Sequence, residues 1–357
     1  MSNSFKLPDF PWDTLAPFGA RAREHKSGAI DLSQGTPVDA TPDFIQIELQ
    51  KNSNSPGYPV TAGTAELRSA MENYVRNRLG ASGEFDVLPT VGSKEMVALL
   101  PTLLEAKRIL IPKVAYPTYL VSAIFGRAEV IEVDLDPSNW PKDVDLVWIN
   151  NPSNPTGRVH TKTELDAVIK WSRTHKVVIA SDECYLPFPD SDESESILKR
   201  AAGENVGFLA LHSLSKRSNL AGYRAAFVAG DTQLVKRLLE IRKHLGMMMP
   251  LPVQRAMTVA LQDESHVERQ ADIYRNRRRI LVPALISLGF RVEYSQAGLY
   301  IWCTRNQSDW ETVAWFADRG ILVTPGSFYG SAGSEFVRIA LTATDSQIAE
   351  VAQRISA

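Results

Sequence analysis

Six short apolar runs, set between segments of helical periodicity, constrain the fold of this 357-residue chain more than any other feature. They are Arg108 to Pro112, Glu129 to Val133, Leu146 to Ile149, Val177 to Ser181, Val206 to Leu211 and Ala225 to Ala229. Between them, Ser93 to Glu105, Lys162 to His175 and Thr232 to Leu245 read as helices, each preceded or opened by Ser, Thr or Asp as a cap requires. Runs apolar enough for burial on both faces, alternating with helices, predict a doubly wound α/β sheet that is mostly parallel and flanked by helices. At about 150 residues per domain the length allows a second unit. Beyond a break at Met249 to Pro252 follow a long helical region to about Leu288, an alternating strand at Gly298 to Cys303 and a Gly-rich stretch from Gly326 to Gly333. The expected division is a large domain over 36–248 and a smaller α+β domain built from 1–35 and 249–357.

Composition narrows the class of function. With 39 Lys and Arg against 41 Asp and Glu, the net charge of −2 offers no field to recruit nucleic acid or anionic lipid. No apolar run approaches membrane-spanning length, and the segment from Met1 to Trp12 lacks the apolar core of a signal peptide. Cys184 and Cys303 form no disulfide or metal motif, and the six histidines show no ligand spacing, so a reducing, cytoplasmic setting without a metal is expected. The acidic cluster Asp190 to Glu195 reads as a solvated loop, and the basic run Arg275 to Arg279 as an exposed helix face or interface.

Chemistry concentrates where apolar runs end. Val206 to Leu211 breaks into His212-Ser213-Leu214-Ser215-Lys216-Arg217-Ser218, placing an amine among hydroxyls at a strand's carboxyl end, with Arg224 eight residues on. An anion there would meet Ser213, Ser215 and Arg224 together, although the segment alone reads equally well as a surface lysine after a buried strand. Val177 to Ala180 leads into Ser181-Asp182-Glu183-Cys184-Tyr185, and an acid so close to a buried strand needs a cationic partner. Val144 to Ile149 leads into Asn150-Asn151-Pro152-Ser153-Asn154-Pro155-Thr156-Gly157, whose prolines and glycine hold the Asn154 amide in one orientation. Upstream, Gly92-Ser93-Lys94-Glu95 opens a helix whose free amides suit an anion, or Ser93 simply caps it. Tyr116, held by Pro117, offers a ring for stacking or for core packing. An amine, a carboxylate, a rigid amide and an anion cradle are together what pyridoxal 5'-phosphate requires.

With these runs in order, the chain resembles the class I aminotransferases of fold type I over nearly its whole length. The matching segments are Leu32 to Pro37, Gly57 to Arg68, Gly92 to Glu95, Tyr116-Pro117, Asn151 to Gly157, Asp182 to Tyr185, Ser213 to Arg224 and Phe336 to Ile339. Within the family, Ser-Leu-Ser-Lys-Arg-Ser-Asn-Leu-Ala-Gly-Tyr-Arg is most similar to the N-succinyl-LL-diaminopimelate aminotransferases of bacterial lysine synthesis. The resemblance implies that Lys216 carries the cofactor, that Asp182 pairs with its ring nitrogen and that Asn154 and Tyr185 hydrogen-bond its ring oxygen. Tyr116 and Cys184 would cover the two ring faces. Gly92, Ser93, the Lys94 backbone, Ser213, Ser215 and Arg224 would hold the phosphate, with Tyr58 reaching in from a neighbouring subunit of a homodimer. Arg338, Asn154 and Gly35 would receive the α-carboxylate of an amino acid, with 2-oxoglutarate as the 2-oxo acid acceptor. An aspartate- or aromatic-type aminotransferase, or a carbon–sulfur β-lyase, shares the same catalytic set. A nicotinamide dehydrogenase lacks its GxGxxG here, and a cofactor-sensing regulator would need a helix-turn-helix module longer than the roughly thirty residues before the first match. For a distal substrate carboxylate the candidates are Arg21 and the Lys243 to Pro250 stretch, while Met247 to Met249 reads as core or as a pocket wall.

Overall fold

The computed structural model describes residues 6–188 and 194–356. Seven strands form the larger sheet: β1 (Asp86–Val91), β2 (Arg108–Pro112), β3 (Glu129–Val133), β4 (Leu146–Asn150), β5 (Val178–Asp182), β6 (Phe208–Ser213) and β7 (Ala225–Gly230). Their order is β1-β7-β6-β5-β4-β2-β3, parallel except for β7, which runs antiparallel to both its neighbours. Every residue of β4, β6 and β7 is buried, so helices cover both faces. The helix Lys162–His175 starts in a capping box between Thr161 and Glu164. β1 carries Pro89, which is tolerated because the strand is at the sheet's edge.

A second sheet contains β8 (Arg291–Glu293), β9 (Tyr300–Thr304), β10 (Thr324–Pro325) and β11 (Val337–Ala340) in the antiparallel order β10-β11-β9-β8. The N-terminal segment joins this half of the molecule, where Ile30–Asp31 pairs with Ile321–Leu322.

Three expectations need correction. Helix Leu251–Gln262, placed in the smaller domain by the sequence reading, buries Val253, Ala256, Met257, Ala260 and Leu261 with Ile179 and Phe227 in the larger core. The smaller core begins in the next helix, Ser265–Ser287, at Val267. Within the basic run, Arg277 and Arg278 are buried: Arg277 binds Asp39 and Asp345, and Arg278 donates to the Gly298 carbonyl. Of the acidic cluster, Asp190 to Glu193 lie outside the described residues, whereas Glu195 is buried and paired with Lys199 and Arg200.

Candidate active site

Sheet register assembles the site. Asn150 pairs with Asp182 and Asp182 with Leu211, so the carboxyl ends of β4, β5 and β6 lie side by side. On the other flank Val91 pairs with Ala225, which brings Gly92 and Arg224 to the same edge. A cavity of about 580 Å³ opens there, lined by Gly35, Ser93, Lys94, Tyr116, Asn154, Asp182, Cys184, Tyr185, Ser213, Ser215, Lys216, Arg224 and Arg338, among others. Of the residues assigned to the cofactor and the α-carboxylate from sequence, Gly92 abuts the cavity through Arg224 and only Tyr58 stands apart, 95% exposed on the surface.

Lys216 lies in the short helical turn Leu214–Arg217, which Ser213 caps, and its ammonium donates to the Gly35 carbonyl. Burial, and then the positive charge of Arg338, brings its pKa down to about 8, so roughly a tenth of the amine is neutral at pH 7, far more than for an ordinary lysine. Asp182 is buried, accepting from the Cys184 amide at 3.2 Å and from the Tyr119 hydroxyl at 2.9 Å. Burial raises its pKa, and those hydrogen bonds oppose the rise. Tyr119, which sequence reasoning passed over, is itself stacked on Trp148 at 5.0 Å. Burial likewise pushes the Cys184 thiol and Tyr185 hydroxyl well up, so both stay protonated.

The Asn151 to Gly157 loop is fixed from within: Asn150 Oδ1 accepts from the Asn154 amide at 2.7 Å. Asn154 Oδ1 accepts from Arg338 at 3.0 Å, leaving the NH2 half of that side chain to donate into the cavity. Arg338 is 3% exposed and bonds only neutral acceptors, Asn154 Oδ1, Ser33 O at 2.6 Å and Thr324 Oγ1 at 3.5 Å. Its Nε is buried without a partner, and it makes no ion pair among the described residues. A buried guanidinium without a counter-charge is costly unless an anion joins it.

At the phosphate-sized end, Gly92 has φ +76 and serves as N-cap of the helix Ser93–Leu104, so Ser93 sits inside the first turn with its hydroxyl uncommitted to capping. A Cβ at Gly92 would overlap the Arg224 guanidinium. Free helix amides, Ser213, Ser215 and Arg224 thus form an anion cradle that glycine keeps open. Amine, buried carboxylate, fixed amide and cradle fit pyridoxal phosphate group by group. Among the described residues no cluster of three or more His, Cys, Asp or Glu is gathered as for a metal.

The distal candidates fall elsewhere. Arg21 pairs with Asp318 on the surface, Lys243 pairs with Glu240, and Met249 is core. Instead, Phe10, Trp12, Gln34, Thr36 and Tyr300 complete the cavity wall. Phe10 and Trp12 come from the N-terminal segment, whose approach depends on the Ile30–Asp31 pairing and leaves no local signature.

The chain matches aminotransferase class I and II over residues 27–355. It is 47% identical to a 4-dedimethylamino-4-oxo-anhydrotetracycline transaminase of Streptomyces rimosus, across 98% of this chain and 99% of that protein. To a probable aminotransferase of Mycobacterium tuberculosis it is 48% identical, covering 99% of this chain and 86% of the other. A solved probable N-succinyldiaminopimelate aminotransferase from Thermus thermophilus superposes with a TM-score of 0.89 at 27% identity, over 97% of this chain and 99% of that one.

Proposed function

The chain belongs to the class I and II aminotransferases, pyridoxal phosphate enzymes acting on an amino acid and a 2-oxo acid, and on that premise we propose that its amino donor is N-succinyl-LL-2,6-diaminopimelate and its acceptor 2-oxoglutarate. The observation that carries an α-amino acid substrate is the buried, uncompensated Arg338 in the same cavity as Lys216 and Asp182. Pyridoxal phosphate, when bound, supplies an aldehyde that captures amines and a ring that accepts the electron pair left at Cα. Lys216 would hold the aldehyde and then, as a neutral amine, take the proton from Cα and deliver it to the carbon that had borne the aldehyde. Asp182 would keep the ring nitrogen protonated, with Tyr119 and the Cys184 amide orienting it. Asn154 and Tyr185 would donate to the ring oxygen, Tyr116 and Cys184 flank the ring, and the Gly92, Ser93 and Lys94 amides with Ser213, Ser215 and Arg224 hold the phosphate. Arg338 and Asn154, beside the Gly35 backbone, would receive the α-carboxylate.

Lys94 supports the acidic donor: it is the one cation among the described lining residues left over by these roles, and its ammonium lies 6.0 Å over the Phe10 ring at the mouth. A second reading, a planar polycyclic ketone as amino acceptor, is favoured by the Phe10–Trp12 rim, whose rings are 5.6 Å apart, and by the named activity of the Streptomyces relative. Exposed Tyr58 and Val60 suit a homodimer in which Tyr58 of the partner subunit completes the phosphate site. A panel of N-succinyl-LL-2,6-diaminopimelate, LL-diaminopimelate, aspartate and phenylalanine with 2-oxoglutarate decides the donor. The succinylated compound should have the highest kcat/KM, and a flat panel, or pyruvate release from cystathionine exceeding all transfer, would overturn the assignment.

A further inference from the structure

Tyr300 has no place in the roles above, yet it touches three of the groups that do. It opens β9 and is buried; its hydroxyl lies 3.0 Å from that of Tyr185, and its ring lies 4.1 Å beneath the Arg338 guanidinium. The antiparallel pairing explains the second contact: Tyr300 is opposite Ala340 and Trp302 is opposite Arg338, so Tyr300 and Arg338 are diagonal neighbours on one face. The third contact is with Gly35, where a Cβ would overlap the Tyr300 hydroxyl. Only glycine at 35 lets the tyrosine reach this far, and the Gly35 carbonyl is the acceptor for Lys216.

We propose that Tyr300 is a positioning residue that registers the ring-oxygen contact of Tyr185 against the α-carboxylate contact of Arg338. The inference rests on the pyridoxal phosphate reading of the site. Proton inventory sets the direction of the pair: Tyr185 has one proton, and if it donates to the ring oxygen, its own oxygen is free to accept from Tyr300. A donor whose oxygen also accepts is polarised and donates more strongly. Burial holds the Tyr185 hydroxyl well above its ordinary pKa, so that proton stays in place. Meanwhile the ring face of Tyr300 attracts the guanidinium, holding Arg338 without neutralising it as a carboxylate would. One side chain therefore separates two effects, hydroxyl on the cofactor side and ring on the substrate side.

Two variants divide them. Tyr300→Phe keeps the ring and loses the hydroxyl, while Tyr300→Leu loses both, and thermal melting of each apo-protein establishes folding. The readouts are the pH titration of the bound cofactor's visible absorbance and the KM for glutamate. In Tyr300→Phe a weakened Tyr185 donation leaves the ring oxygen sharing a proton to higher pH, so the midpoint moves up by about half a unit, with KM within about twofold of wild type. In Tyr300→Leu the same upward shift is joined by a rise in KM of about tenfold as Arg338 loses its platform. An unshifted midpoint in Tyr300→Phe, or equal KM values in the two variants, overturns the inference. Wild-type protein that binds no pyridoxal phosphate would overturn the cofactor reading itself, a distinct result.

Discussion

At Lys216 the local environment sets a pH dependence that can be read directly. An ordinary lysine amine is neutral only above about pH 10, but burial and Arg338 bring this one to about 8. Because the neutral amine is the nucleophile, uptake of pyridoxal phosphate by the apo-protein should quicken as pH rises and level off above a midpoint near 8. Stopped-flow absorbance measures this, and a rate still climbing steeply through pH 10 would contradict it. Linkage gives the same sign: between the folded and unfolded values the unfolded chain binds more protons, so apo-protein stability gains from this group as pH rises through 8. Asp182 acts through charge rather than shape. Asp182→Asn should still bind cofactor, but single-turnover transfer should slow by about 100-fold or more, and a near-normal rate would remove Asp182 from that role. Residues such as these were legible because each stands in a dense local pattern of hydroxyls, prolines or glycines at the end of an apolar run. Tyr119 and Tyr300 were not, since their importance comes from Asp182 and Arg338, 63 and 38 positions away, which only the folded sheets bring near.

Among the elements, the turn from β1 into the helix Ser93–Leu104 carries the most exacting local demand. Gly92 combines a left-handed φ of +76 with a backbone that Arg224 packs against. Gly92→Ala therefore meets both strain and overlap, and the Kd for pyridoxal phosphate should rise at least about tenfold while the fold persists. Fluorescence titration of the apo-variant checks this, and unchanged affinity would mean that the cradle is not the phosphate site. Fully buried strands were easy to recognise because burial on both faces leaves an unbroken apolar run, as in β4 and β6. By contrast, β1 escaped notice: Pro89 argues against a central strand, and only its edge position makes it acceptable. The helix Leu251–Gln262 was assigned to the wrong unit for a related reason, because an amphipathic pattern shows that a face is buried without showing against which core.

For the whole molecule, the larger sheet and the smaller half, which the N-terminal segment joins through Ile30–Asp31, border one cavity that every catalytic candidate except Tyr58 lines or abuts. If Tyr58 completes the site of a partner copy, mixing Tyr58→Phe and Lys216→Ala chains creates hybrid dimers with one intact and one doubly defective site. With both parent variants inactive and subunits exchanging freely, activity should return to about a quarter of wild type, half the dimers being hybrid and each having one working site of two. No recovery would place Tyr58 within its own subunit's site or outside the chemistry. The central claim, that this cavity holds pyridoxal phosphate on Lys216, is tested most directly by borohydride reduction of the cofactor-loaded protein followed by mass mapping of its peptides. One phosphopyridoxyl adduct per chain is expected, on the peptide containing Lys216 and absent from Lys216→Ala; an adduct on another lysine, or none, would contradict that assignment.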